Sequence, residues 1–258
     1  MDLATSALLA AVGLAGGIIT AIVGGSSLIV FPAMLAAGLP PILANTSSTV
    51  AMTPSNLVAA YADRESIPAW DRSFLAMAAI ALLGSGAGAL LLLYTTNAAF
   101  TALVPLLVGG ATALFAFANH VKRWTARFTS RMARDGDGRA AMRLILFAPI
   151  AVYGGYFGAA MGVMLLAILS IGHAGSFRQI NAIKNILATV VSIVAVAIFV
   201  WRGAVSWPHA IIVMIAAMIG GYIGGRLVRV MPTVLLRAIV IAVGAGLSAI
   251  YAWRYWRI

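Results

Sequence analysis

Long apolar runs separated by short polar stretches fill almost the whole sequence. Most of these runs reach the roughly 20 residues that a helix needs to cross the hydrocarbon core of a bilayer. Helices suit that environment because they satisfy their backbone hydrogen bonds internally. The pattern therefore predicts an all-α polytopic membrane protein, with apolar segments near 4–37, 42–61, 73–94, 98–119, 142–171, 178–201, 207–229 and 233–254.

The first and fifth of these segments are long for one crossing, and both are interrupted by glycine. The first contains Gly24-Gly25, and the fifth contains Gly158 and Gly162. Glycines placed in this way inside an apolar run favour a break in the helix. Interrupted segments at matching places in two halves of a chain are typical of a transport site.

The two halves of the chain resemble each other in the order and rough spacing of short motifs. An internal duplication of this kind is typical of secondary transporters. Glycines spaced four apart in the second motif of each half indicate close helix packing. We interpret 1–119 as a first transmembrane repeat, 120–141 as a basic cytoplasmic linker and 142–258 as a second repeat. The matching motifs are GGIITAIVGG (16–25) with GGYFGAAMGV (154–163), LLGSGAG (82–88) with MIGGYIG (218–224), and VGGATALFAF (108–117) with GAGLSAIYAW (244–253).

Two topologies agree with this organisation. In one, all eight segments cross the bilayer. In the other, the first segment of each repeat enters and returns, which leaves three full crossings per repeat and inverts one repeat relative to the other. Basic residues collect on the cytoplasmic side of membrane proteins, and both topologies place most of them with the linker. The charges do not decide between the two, and the interrupted segments favour the inverted form.

Composition narrows the classes of function. The chain of 258 residues is 63% hydrophobic and 9% charged, and its formal net charge is +11. A basic soluble protein would suggest nucleic acid as a partner, but here the positive-inside tendency accounts for the arginine-rich linker. All six acidic residues fall outside the apolar runs, which disfavours a cation pathway lined by carboxylates.

Catalytic and cofactor chemistry finds little support in the sequence. Cysteine is absent, which removes disulfides and thiol catalysis. His120, His173 and His209 lie far apart, with no metal-ligand spacing and no serine–histidine–acid set. The sequence also lacks the phosphate-binding loop of an ATP-driven pump. We therefore expect no enzyme activity, no cofactor and no metal site.

Lys184 is the clearest charge inside an apolar segment. A helix that begins at Ser176, with Gln179 completing a capping box, places Lys184 about 12 Å along its axis and close to the middle of the bilayer. Spacings of three and four residues put Lys184 in one polar stripe, which comprises Asn181, Lys184, Asn185, Thr189 and Ser192. The matching helix of the first repeat carries a similar stripe, which comprises Asn45, Ser48, Thr49, Thr53 and Asn56.

The stripes and the breaks together suit a small oxyanion. Broken helix ends offer backbone N–H groups and partial positive charge, and Lys184 adds a full charge. Two alternatives stay open: the stripe side chains only bond across helices, or Lys184 snorkels to the interface. We predict one wall of Gly24, Gly25, Ser26, Ser27, Asn45, Thr46 and Ser47, with Ser26 and Ser27 as candidate helix caps, and a second wall of Asn181, Lys184 and Asn185.

The stretch GGIITAIVGGSSLIVFPAMLAAGLPPILANTSSTVA, followed by YGGYFGAAMGVMLLAIL and NAIKN, resembles the sulfite exporter TauE/SafE family of membrane permeases. The resemblance covers nearly the whole chain. It implies export or uptake of small sulfur-containing or organic anions, such as sulfite, sulfonates or sulfoacetate-like compounds, across the bacterial inner membrane. Two departures bear on substrate preference: Ser26 stands where a third glycine is common, and Asn45-Thr46-Ser47 replaces glycine–threonine–serine.

We therefore predict a multi-pass secondary transporter that moves a small anion by alternating access. A passive anion channel is the main alternative, and a membrane scaffold or intramembrane enzyme is a weaker one. With no carboxylate in the apolar runs, proton coupling would have to run through Lys184, a histidine, water or a protonatable substrate. Surfaces rich in small residues are compatible with a homodimer, and no nucleic-acid partner is expected.

Overall fold

The elements of the computed structural model are all helices within the residues that it describes. Those residues are 1–22, 24–62, 64, 72–117, 120, 136–169, 177–227, 238, 241–242, 244–246, 248–250 and 252–253. Nine helices are bounded within them: α1 Leu3–Ile22, α2 Ser27–Ala36, α3 Pro41–Ala62, α4 Arg72–Tyr94, α5 Asn97–Ala116, α6 Gly136–Tyr156, α7 Met161–Leu169, α8 Phe177–Trp201 and α9 Trp207–Leu227. The described residues between 238 and 253 are helical as well.

Five of the described helices are long and apolar enough to cross a bilayer, namely α1, α4, α5, α8 and α9. α3 has 22 residues but a lower hydrophobicity, because it carries the polar stripe of the first half. At its start, α1 is capped by Asp2, whose carboxylate accepts the Thr5 N–H at 3.0 Å. The predicted all-α polytopic membrane fold is confirmed, while the division into two repeats stays a prediction.

The two interrupted segments are broken where their glycines predicted. Between α1 and α2, Gly24 and Gly25 have φ angles of +82° and +95°, which side chains rarely adopt. Between α6 and α7, Gly158 has a φ angle of +71°. Two details differ from expectation. Gly162 lies inside α7 rather than at the break, and Ser26 sits at the α2 N-cap without a capping side-chain hydrogen bond.

α1 packs against α9 in parallel through small residues. A Cβ atom at Gly13 would lie 2.8 Å from the Val213 carbonyl oxygen, and one at Gly224 would lie 2.8 Å from the Ile18 Cα. These distances are too short for any side chain, so the two backbones touch. The glycines four apart at Gly220 and Gly224 therefore serve close helix packing, as the sequence predicted.

α4 and α6 form the second close pair, and they too run in parallel. A Cβ atom at Gly84 would lie 2.8 Å from the Ala151 Cβ, and one at Gly88 would lie 2.8 Å from the Tyr156 nitrogen. The packing prediction for this glycine pair is confirmed as well. Helices of the first half thus pair with helices of the second half, which joins the halves into one bundle.

An aromatic cluster fixes the second break against the first half. Phe157 lies at the break, and its ring centroid is 5.4 Å from that of Phe31 in α2 and 6.2 Å from that of Phe100 in α5. All three rings are fully buried or nearly so, and they meet edge to face. Each such pair contributes about 0.5–1.5 kcal/mol beyond the area that it buries.

Several predicted features lie outside the described residues. These are the basic linker from 121 to 135, His173 and the proposed N-cap Ser176. α6 begins at Gly136, so the last residues of the range assigned to the linker are already helical.

Candidate functional site

A cavity lies where the two helix breaks meet the polar stripes of α3 and α8. Its volume is about 50 Å³, which holds only a few water molecules at roughly 10–15 Å³ each. The described lining residues come from six helices and both breaks, and are Thr20, Gly24, Gly25, Ser26, Ser27, Thr49, Met52, Thr53, Asn56, Gly154, Gly158, Met161, Gly162, Lys184, Ala188 and Ser192.

The two broken segments touch each other at this cavity. A Cβ atom at Gly24 would lie 2.7 Å from the Gly162 Cα, and a Cβ atom at Gly162 would lie 2.8 Å from the Gly24 Cα. These two glycines occupy equal positions in the matched motifs of the two halves. The N-terminal ends of α2 and α7 are thereby held side by side, because only glycine permits so close an approach.

Lys184 is the one charged side chain among the described lining residues. It is 1% exposed, and its ammonium donates a hydrogen bond to the Thr20 carbonyl oxygen at 2.7 Å. No acidic side chain in the described part of the chain contacts it. The side chain therefore does not snorkel to the interface, and its two other N–H bonds remain available to a ligand.

The first break adds neutral hydrogen-bond donors beside this charge. The Thr20 and Ser26 hydroxyls are hydrogen-bonded to each other, and the one that does not donate in this pair can donate to a ligand. No described carbonyl accepts the backbone N–H groups of Gly25 and Ser26. They precede α2, where the helix dipole adds partial positive charge. This corner of the cavity can thus hold a negatively charged oxygen.

The stripe hydroxyls on the opposite walls are turned toward their own helices. Thr49, Thr53 and Ser192 each donate to the carbonyl oxygen four residues earlier, at 2.9, 2.8 and 2.9 Å. Their oxygens line the cavity as acceptors, or as donors after rotation about the C–O bond. These walls can therefore adapt to a polar ligand or to water.

The structure places half of the predicted binding residues on the cavity. Gly24, Gly25, Ser26, Ser27 and Lys184 line it. The other five are buried off the cavity, and four of them have hydrogen bonds that fix the scaffold. Asn45 donates to the Tyr156 carbonyl oxygen at 3.0 Å, Asn181 donates to the Ala21 carbonyl oxygen at 2.8 Å, Thr46 donates to carbonyls of its own helix, Ser47 accepts the Ser206 N–H at 2.9 Å, and the Asn185 Oδ1 has no partner among the described residues.

The sequence did not predict the other lining residues as binding residues, although its polar stripes contain some of them. Ser192 belongs to the predicted stripe of Lys184, so its spacing could have placed it with that residue. Thr49, Thr53 and Asn56 belong to the stripe of the other helix, and their spacing gave only the face on which they lie. Thr20 lies in an apolar glycine-rich run, where nothing in the sequence sets it apart. Among the described residues, no group of three or more histidine or acidic side chains could hold a metal ion.

Comparison with known proteins agrees with this architecture. A family model described as sulfite exporter TauE/SafE matches residues 9–251. A probable membrane transporter protein of Haemophilus influenzae is 25% identical over 251 residues, which cover 94% of this chain and 92% of the relative. The probable membrane transporter protein YfcA of Escherichia coli K12 is 25% identical over 245 residues, which cover 92% and 86%. No solved structure gives a significant match. Because the family model spans nearly the whole chain, this protein belongs to the sulfite exporter TauE/SafE family and is a multi-pass membrane transporter of that type.

Proposed function

We propose that this protein is a secondary transporter of a small anion across the bacterial inner membrane, and that the anion binds at the cavity beside Lys184. The observation that carries the proposal is the buried ammonium of Lys184, which has a carbonyl but no described carboxylate as its partner. A buried charge without a counter-ion is unfavourable. A bound anion would supply that counter-ion.

The size and the donors of the cavity support a small oxyanion. A volume of about 50 Å³ suits a headgroup such as sulfite or the sulfonate of a short organic acid. The Lys184 ammonium and the Ser26 hydroxyl would donate to separate oxygens of such a group. Hydrogen bonds to a charged group contribute roughly 1.5–3 kcal/mol each, so these contacts give useful affinity without irreversible binding.

The directions of the helices support alternating access between inverted halves. α3 runs parallel to α9, since Ser47 lies beside Ser206 and Ser55 beside Gly221, and α1 also runs parallel to α9. If α3 crosses the membrane as α4 does, the two helices, joined by 63–71, run in opposite directions. α6 follows the direction of α4. α1 and α6 would then enter from opposite sides and meet at the cavity, as a carrier with two gates requires.

The test is anion flux into proteoliposomes that contain the purified full-length protein. Sulfite, methanesulfonate and sulfoacetate serve as probes, with wild type compared with Lys184→Met, which keeps the length of the side chain but removes its charge. We expect flux to fall at least tenfold, because one charge-assisted hydrogen bond accounts for roughly that factor. Arg202→Ala is the matched control, since it removes one positive charge from an exposed position.

Each outcome separates this proposal from its rivals. Saturable flux that is lost in Lys184→Met and kept in Arg202→Ala supports a carrier with its site at Lys184. Flux that does not saturate, or unitary currents in a planar bilayer, would indicate an anion channel instead. Equal flux in wild type and Lys184→Met would refute the role of this residue. Lys184→Arg adds a test of geometry, because a guanidinium presents its donors in a planar fork.

A further inference from the structure

Two methionines form most of the apolar wall of an otherwise polar cavity. Met52 comes from α3 and Met161 is the first residue of α7, and they are 5% and 7% exposed. Ala188 is the other apolar side chain among the described lining residues. The methionine side chains are longer than that of Ala188, so they fill more of the cavity that Lys184 lines.

Both methionines lie near a glycine of a broken helix, and Met161 lies much the closer. A Cβ atom at Gly154 would lie 2.5 Å from the Met161 Sδ, so Met161 occupies the space that a side chain on α6 would fill. A Cβ atom at Gly16 would first meet the Val30 Cγ2 at 2.9 Å, and the Met52 Cε lies at 3.7 Å, an ordinary contact distance. Gly16 and Gly154 hold equal positions in the matched motifs of the two halves. The two sites differ in packing: Met161 fills the space over Gly154, whereas Met52 only borders the space over Gly16.

Met161 lines the same cavity as Lys184. Its neighbour Gly162 is so near to Lys184 that a Cβ atom there would lie 3.6 Å from the Lys184 Cδ. Because the cavity is only about 50 Å³, a ligand held by the Lys184 ammonium would lie within reach of both methionine side chains. The two methionine side chains fill the rest of this small cavity and leave little length for a tail.

We propose that Met52 and Met161 set the largest substrate that the cavity accepts, which limits it to a charged headgroup with at most a short apolar tail. This inference rests on the proposed anion transport at the same cavity and adds the class of substrate. A pocket that is one methylene too short lowers the rate for the longer substrate by roughly 10–200-fold. The limit should therefore be sharp along a series of homologous anions.

The experiment measures flux of a straight-chain series, from methanesulfonate to butanesulfonate, in proteoliposomes of the full-length protein. In wild type we expect butanesulfonate flux to be at least tenfold below methanesulfonate flux. Met52→Ala and Met161→Ala should bring butanesulfonate to within about threefold of methanesulfonate, because the removed side chain leaves room for the tail. Met52→Val and Met161→Val shorten the side chain less and cover the case in which an alanine variant does not fold.

Met77→Ala is the matched control. Met77 in α4 is 3% exposed, so its truncation is as deep in the protein as the others, but it does not line the cavity. Met77→Ala should therefore keep the wild-type ratio of butanesulfonate flux to methanesulfonate flux. The assignment to Met52 and Met161 is overturned if the ratio of butanesulfonate flux to methanesulfonate flux is the same in wild type and in all four cavity variants. It is also overturned if wild-type flux does not depend on chain length. Flux that no longer depends on Lys184 for any sulfonate refutes the proposed function itself.

Discussion

The contact between Gly24 and Gly162 joins the two broken helices, and a single methyl group at either position tests it. Gly24→Ala introduces two separate penalties, because Gly24 has a φ angle of +82° and its Cβ would lie 2.7 Å from the Gly162 Cα. Gly162→Ala introduces the steric penalty alone, since Gly162 lies within α7 and its Cβ would meet the Gly24 Cα at 2.8 Å. Gly38→Ala introduces the conformational penalty alone, with a φ angle of +91° and no atom within 4 Å of its Cβ.

The size of each penalty follows from these geometries. A left-handed backbone costs a non-glycine residue about 1–2 kcal/mol, and overpacking a tight contact costs about 1–3 kcal/mol. We therefore expect Gly38→Ala to lose about 1–2 kcal/mol, Gly162→Ala about 1–3 kcal/mol and Gly24→Ala about 2–5 kcal/mol. For a chain of this size, 1 kcal/mol lowers Tm by about 2–4 °C.

The assay is thermal unfolding of the three purified variants in the same detergent, followed by anion flux of the variants that remain folded. The loss of Tm in Gly24→Ala should be close to the sum of the losses in Gly38→Ala and Gly162→Ala. The contact would be refuted if Gly24→Ala lost no more than Gly38→Ala, or if Gly162→Ala had the Tm of wild type. Either result would mean that the two breaks do not touch at the cavity.

Two further predictions separate scaffold residues from binding residues. Ser47→Ala removes the acceptor of the partly buried Ser206 N–H and should lower the free energy of unfolding by about 0.5–1.5 kcal/mol. Because Ser47 does not line the cavity, the anion concentration for half-maximal flux should stay within about twofold of wild type. A tenfold increase in that concentration would show that Ser47 takes part in binding. Gly88→Ala places a methyl group against the backbone of Val152 and Tyr156, so it should cost about 1–3 kcal/mol and lower Tm. An unchanged Tm would show that α4 and α6 lie further apart.

The hydrophobic pattern and the glycines are enough to specify the membrane class, the helices and the places where two of them break. Apolar length fixes a membrane helix because lipid offers its backbone no other hydrogen-bond partner. A glycine at a positive φ angle marks a break because side chains rarely adopt that conformation. The sequence also identified Lys184 as the central charge, since no other charged residue lies as deep in an apolar run.

Packing between the helices selects which polar residues face the cavity. Asn45 and Asn181 lie on the predicted stripes, but each donates to a backbone carbonyl at the end of a broken helix from the other half. Periodicity gives the face of a helix, whereas the partner opposite that face depends on how the helices pack. The same holds for Thr20 and the two methionines. Their neighbours are distant in sequence, so only the packed bundle brings them to Lys184.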